Sequence, residues 1–111
     1  MKKHFYTHLI TLEDLHAEIA LLPMPVAEKE ELVIIIHETI HHVVVDTMLS
    51  EFDEEDKHVF LHHITQDNHD DIWVLLNTKV KDAEEKITQA VYLLKKELLN
   101  DITEVTSEHV E

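Results

Sequence analysis

The chain of 111 residues contains no glycine, no cysteine and no arginine, and its only prolines are Pro23 and Pro25. Without glycine, the left-handed positions of tight hairpins lack their specialist residue, which argues against an all-β fold. Rossmann fingerprints and P-loops need glycine where backbone approaches phosphate, so nucleotide binding of either kind is excluded. The lack of cysteine removes disulfides, thiolate zinc sites, iron–sulfur clusters and thiol catalysis. Aromatic residues are also scarce, at 5%. A core built here must rest on aliphatic side chains.

Apolar residues at 44% and charged residues at 30% are the balance of a folded domain, and the length suits one core rather than two. The formal charge is −15, from 24 acidic residues against nine lysines. Such a surface repels phosphate backbones, so nucleic acid is set aside as a partner. Near the start, His8, Glu13, Asp14 and His16 interrupt any apolar run long enough for secretion or membrane spanning. The expectation is a soluble, unprocessed, cytoplasmic protein with no membrane partner.

Helical signals follow in order. Thr11 stands as an N-cap, Glu13 and Asp14 occupy a first turn, and Leu12, Leu15, Ile19 and Leu22 recur at helical spacing until Pro23. A long second helix is expected from Val26 to Leu49. Its seam is Leu32, Ile36, Ile40, Val43 and Thr47, widened by Ile34, Ile35, Val44, Val45 and Met48. The β-branched runs in it have strand propensity, but length and the lack of period-two alternation favour a buried helix. A third helix, capped by Ser50 or Asp53, covers Glu54 to Ile64, and a fourth covers Asp70 to Thr78. A fifth, capped by Asp82, runs to about Ile102, with Ile87, Val91, Leu94 and Leu98 buried and Lys95 and Lys96 on the wet side. Phe52, Phe60, Trp73 and Tyr92 fall within apolar stripes and read as core. The fold expected is all-α: a compact single-domain bundle of about four to five helices around a long apolar central helix. Residues 1–10 read as an N-terminal extension, 11–102 as the bundle and 103–111 as a polar, fraying tail.

One pattern looks enzymatic. His37-Glu38-Thr39-Ile40-His41 matches HExxH, in which two histidines one helical turn apart hold zinc and the glutamate polarises the metal-bound water. With 11 histidines in the chain, roughly 0.14 chance occurrences are expected, far more than in an ordinary composition. No strands precede the motif to hold an extended peptide, and no metzincin extension follows it; His58, His62, His63, Glu84 and Glu85 all compete as a third ligand. The match is read as coincidental and the chain as non-enzymatic, Glu38 being the catalytic base only on the peptidase alternative.

Six of the eleven histidines stand in three i,i+4 pairs: His4 with His8, His37 with His41, and His58 with His62. If the second and third helices pack side by side, His37, His41, His58 and His62 converge on a zinc ion. Histidine as a plain polar surface residue and as a pH sensor are the other readings. Protonating all eleven would move the formal charge from −15 to −4.

The order of signals from about Thr11 to Ile102 resembles a small helical domain of unknown function, family 5663, of candidate-phyla (patescibacterial) bacteria. The likeness rests on Leu21-Leu22-Pro23, on Glu28-Lys29-Glu30-Glu31-Leu32, on Met48-Leu49-Ser50, and on Leu75-Leu76-Asn77-Thr78-Lys79-Val80-Lys81-Asp82. The resemblance implies an all-helical fold with no catalytic residue to carry over, and the histidine load and missing arginine depart from it. The function expected is a non-enzymatic interaction or self-association domain, because the second helix is apolar around more of its circumference than a small monomer needs. A histidine-based zinc protein is the alternative, and an acidic decoy for a nucleic-acid-binding protein a third.

Overall fold

The structure, a computed structural model, describes residues 4–109. A 3-10 turn at Thr7–Leu9 leads into five helices: α1 (Glu13–Ala20), α2 (Val26–Leu49), α3 (Glu54–Thr65), α4 (His69–Lys79) and α5 (Ala83–His109). No strand occurs among the described residues. The all-α bundle expected from the sequence is what forms. Helix α2 packs chiefly along α5, α1 lies against both, and α3 pairs with α4. The two long helices give a rod of 53 × 23 × 22 Å.

Helix α2 has the expected bounds but not the expected seam. Ile36, Ile40, Val44 and Met48 are its buried residues, so the stripe steps by four rather than turning to Val43 and Thr47. A step of four residues overshoots one turn by about 40°, so the buried row winds slowly round α2 as it follows α5. That row alone is fully buried; Leu32, Val33, Val45 and Leu49 are partly buried against the core, and Val26, Ile34 and Ile35 are 71%, 49% and 57% exposed. The central helix is thus half-covered rather than enclosed. Opposite it, α5 contributes Ala83, Ile87 and Val91, while α4 adds Ile72 and Leu76 and α3 adds Phe60.

Several local expectations are corrected. Thr11 does not cap α1; Leu12 holds the N-cap position without a side-chain bond, and the Thr11 carbonyl instead accepts from Lys95 Nζ at 2.7 Å. Lys95 is therefore not on the wet side: it is 16% exposed and also pairs with Asp14 at 3.0 Å, tying α1 to α5. Between the two candidates for capping α3, Asp53 does so, its Oδ1 accepting from the Asp56 N–H at 2.9 Å. Ser50 Oγ donates back to the Thr47 carbonyl at 2.7 Å. Tyr92 is 63% exposed and outside the core. Helix α5 continues past Ile102 to His109, and residues 110 and 111 of the expected tail lie outside the described residues.

The first ten residues are not all an extension. Phe5 and Tyr6 are buried with the helices, and the Phe5 ring meets Phe60 and Trp73 edge-on, at centroid distances of 5.9 and 5.8 Å. Trp73 Nε1 donates to the Phe5 carbonyl at 2.8 Å. Two aromatic residues in succession at a segment's start carry no periodicity, so no helical or strand pattern signals their burial.

Candidate functional site

The HExxH segment lies mid-way along α2, on the flank beside its buried row. Both histidines sit one turn apart, as the spacing requires, but each is held by a different neighbour. His37 Nε2 lies 3.0 Å from His16 Nε2 of α1, the two rings meeting end to end with centroids 5.3 Å apart and 23° between planes. Such a bond needs one ring to donate and the other to accept, so the pair is formed with at most one positive charge. Burial holds the His37 pKa below the ordinary imidazole value, and the charges of His16 and His4 push in the same direction.

His41 belongs to another cluster. Its Nδ1 is 3.1 Å from the Tyr6 hydroxyl, and the His4 ring stacks on it at 4.1 Å and 24°. Burial pushes the Tyr6 phenol well above its ordinary pKa, so it stays protonated and can donate to His41 Nδ1, placing the imidazole proton on Nε2. His37 is thus engaged by His16, and His41 by Tyr6 and His4. Glu38, the base of the peptidase alternative, is exposed.

The four-histidine zinc site is not assembled. His58 and His62 lie exposed on α3, and α3 packs against α4, not side by side with α2 as convergence would require. Among the described residues no group of three or more His, Cys, Asp or Glu side chains is placed to hold a metal ion. His4 and His8 also part company, because the backbone between them is a 3-10 turn: His4 stacks on His41, and His8 meets Trp73 at 5.6 Å. The His16–His37 contact joins residues 21 apart in sequence, so no i,i+4 spacing marks it. Its one signal is that His16 lies between the apolar positions Leu15 and Ile19, beside the buried stripe of α1.

Two open grooves run along this flank. One, of about 420 Å³, is lined by His4, Ile34, His37, Glu38, His41, His42, Val45 and Ile64. The other, of about 470 Å³ and more apolar, lies between α1 and the start of α2, against Ile19, Ala20, Val26, Val33 and Ile34. Ile34 borders both, so the two adjoin along α2 as a trough, with His37 lining the first groove and His16 the second. By length and composition α2 could also cross a membrane, with a mean hydropathy of 1.5 and 22% of the relevant stretch buried. Neither a family model, nor a curated protein, nor a solved structure matches the chain.

Proposed function

We propose that the protein is a non-catalytic helical interaction domain that receives an amphipathic, basic helix of another protein along the trough of α2. The observation that carries this is the apolar flank of α2 that lines both grooves, on which Val26 and Ile34 are exposed and Val33 and Val45 only partly covered. From Val26 to Val45 it extends about 28 Å, the length of a five-turn helix. Charge chooses between occupants. A second copy also carries −15, whereas a helix flanked by lysine or arginine gains attraction from Glu30 and Glu38 beside those residues and from the acidic surface beyond. Spanning a bilayer would bury Glu38, His37, His41 and His42 in hydrocarbon and strip α2 from α5, a costly exchange.

A synthetic Leu/Lys amphipathic helix of eighteen residues serves as probe. Ile34→Gln removes the apolar contact shared by both grooves without altering charge, and should weaken binding about tenfold, the order expected for one well-buried aliphatic side chain. Equal affinity for wild type and variant would overturn the assignment. So would light scattering that finds a dimer which Ile34→Gln dissociates, since the trough would then belong to a second copy.

A further inference from the structure

Two imidazole nitrogens that face each other at hydrogen-bond distance from different helices are also the start of a chelate. We propose that His16 and His37 form a two-histidine site for zinc, pinning α1 to α2 through their Nε2 atoms. Two nitrogens bound at 2.0–2.1 Å to a tetrahedral zinc ion stand about 3.3–3.4 Å apart. The observed Nε2 separation is 3.0 Å, so the nitrogens need part by only a few tenths of an ångström, while each ring swings by roughly 35° to turn its lone pair from its neighbour onto the ion. The ring whose proton sits on Nε2 exchanges it through water to Nδ1, leaving both Nε2 lone pairs for the metal and releasing no net proton. His16 is exposed, which opens that exchange and the route for the ion.

No third His, Cys, Asp or Glu joins the pair among the described residues, so water completes the coordination. The site is therefore a weak, exchangeable staple rather than a closed structural centre. Its effect falls on α1, a helix of only eight residues held at one end by Lys95 and at the other by Lys29, whose Nζ donates to the Ala20 carbonyl at 2.7 Å. His16 lies between those two fastenings. Zinc there would bind the paired rings of the folded chain more tightly than the separated imidazoles of the unfolded one, and so raise the melting temperature by mass action.

Two rival chelates must be told apart. The His37–His41 pair of the HExxH segment shares one ligand with the proposed site, and His58–His62 is an exposed i,i+4 pair on α3. The test is isothermal titration of purified, tag-free protein with zinc chloride alone, alongside thermal melts, for wild type, His16→Gln, His37→Gln, His41→Gln and His58→Gln. The expected result is a melting temperature raised by several degrees at saturating zinc. His16→Gln or His37→Gln should weaken affinity at least tenfold, with His41→Gln and His58→Gln close to wild type. Zinc should also shift or broaden the ring-proton resonances of His16 and His37 before those of other histidines. Absence of zinc binding overturns the proposal. Loss of binding in His41→Gln with His16→Gln unaffected assigns the metal to the HExxH pair, loss in His58→Gln alone assigns it to α3, and either result overturns it too.

Discussion

At Asp67 and Asp82 the backbone enters the left-handed region, with φ of 55° at each. A chain with glycine would place it there; this one has none, and aspartate is among the few residues that tolerate the position. Asp67 completes a Schellman turn after α3. Its own N–H donates to the Ile64 carbonyl at 3.2 Å, and the next N–H, of Asn68, reaches back to His63 at 3.0 Å. Asp82 takes the same conformation just before α5, its carbonyl accepting the first helical bond from the Lys86 N–H at 3.0 Å. A β-branched side chain at such a position crowds its own backbone. Asp82→Val should therefore destabilise the fold by about 1–2 kcal/mol. Asp82→Gly trades a favourable charge near a helix start for relief of strain, and should stay within about 0.5 kcal/mol of wild type. Urea denaturation of the two variants measures the difference, and equal stabilities would remove the argument that aspartate stands in for glycine here.

At the level of helices, the few lysines act between elements. Lys29 reaches from α2 to the end of α1, Lys95 from α5 to its start, Lys79 from α4 to Asp56 of α3, and Lys86 from α5 to Glu51 after α2. Lys95 is the most buried of these and has two partners, Thr11 and Asp14. Lys95→Ala should cost about 1–2 kcal/mol, mostly through the charge-assisted bond to the Thr11 carbonyl, because Asp14 is half exposed and an exposed pair contributes little. For Asp14, slight burial raises the pKa, but the Lys95 hydrogen bond and charge outweigh it and the net shift is downward. A carboxyl whose folded pKa lies below its unfolded one stabilises the fold above the unfolded value near 3.9, and that contribution fades as pH falls through the folded pKa. Asp14→Asn should accordingly flatten the loss of stability on acidification below about pH 4 by a few tenths of a kcal/mol, and an unchanged slope would show the pair to be silent. Helix identity and the bounds of α2 were legible because apolar period and proline punctuation are local signals. The docking of Phe5 and Tyr6, the inward turn of Lys95 and the His16–His37 contact were not. Each depends on which helix faces which, and periodicity along one helix carries no information about its neighbour's angle. The HExxH spacing was legible too, but spacing fixes only that two histidines share a face, and Tyr6 and His16 decide where their rings turn.

For the molecule as a whole, attraction and repulsion between charges compete, and magnitudes settle the outcome. The lysine pairs are mostly exposed, each contributing about 0.2–1 kcal/mol, so together they supply at most a few. Against them stand fifteen uncompensated negative charges on a body 53 Å long and little more than 20 Å across. Two unit charges about 20 Å apart in water repel by about 0.2 kcal/mol, which over all pairs of fifteen sums to on the order of 20 kcal/mol before screening. Raising ionic strength from about 0.01 M to 0.15 M shortens the screening length from about 30 to 8 Å and removes most of that repulsion, while nearby pairs lose far less. The unfolded chain is more extended and relieves part of the repulsion by itself, so the folded state gains more from salt than the unfolded one. Sodium chloride should therefore raise the melting temperature, by several degrees across that range, where a domain held mainly by surface ion pairs would lose stability. A melting temperature that fell with salt would reverse the ranking and make attraction across the lysine fastenings larger than the net repulsion between the acidic residues.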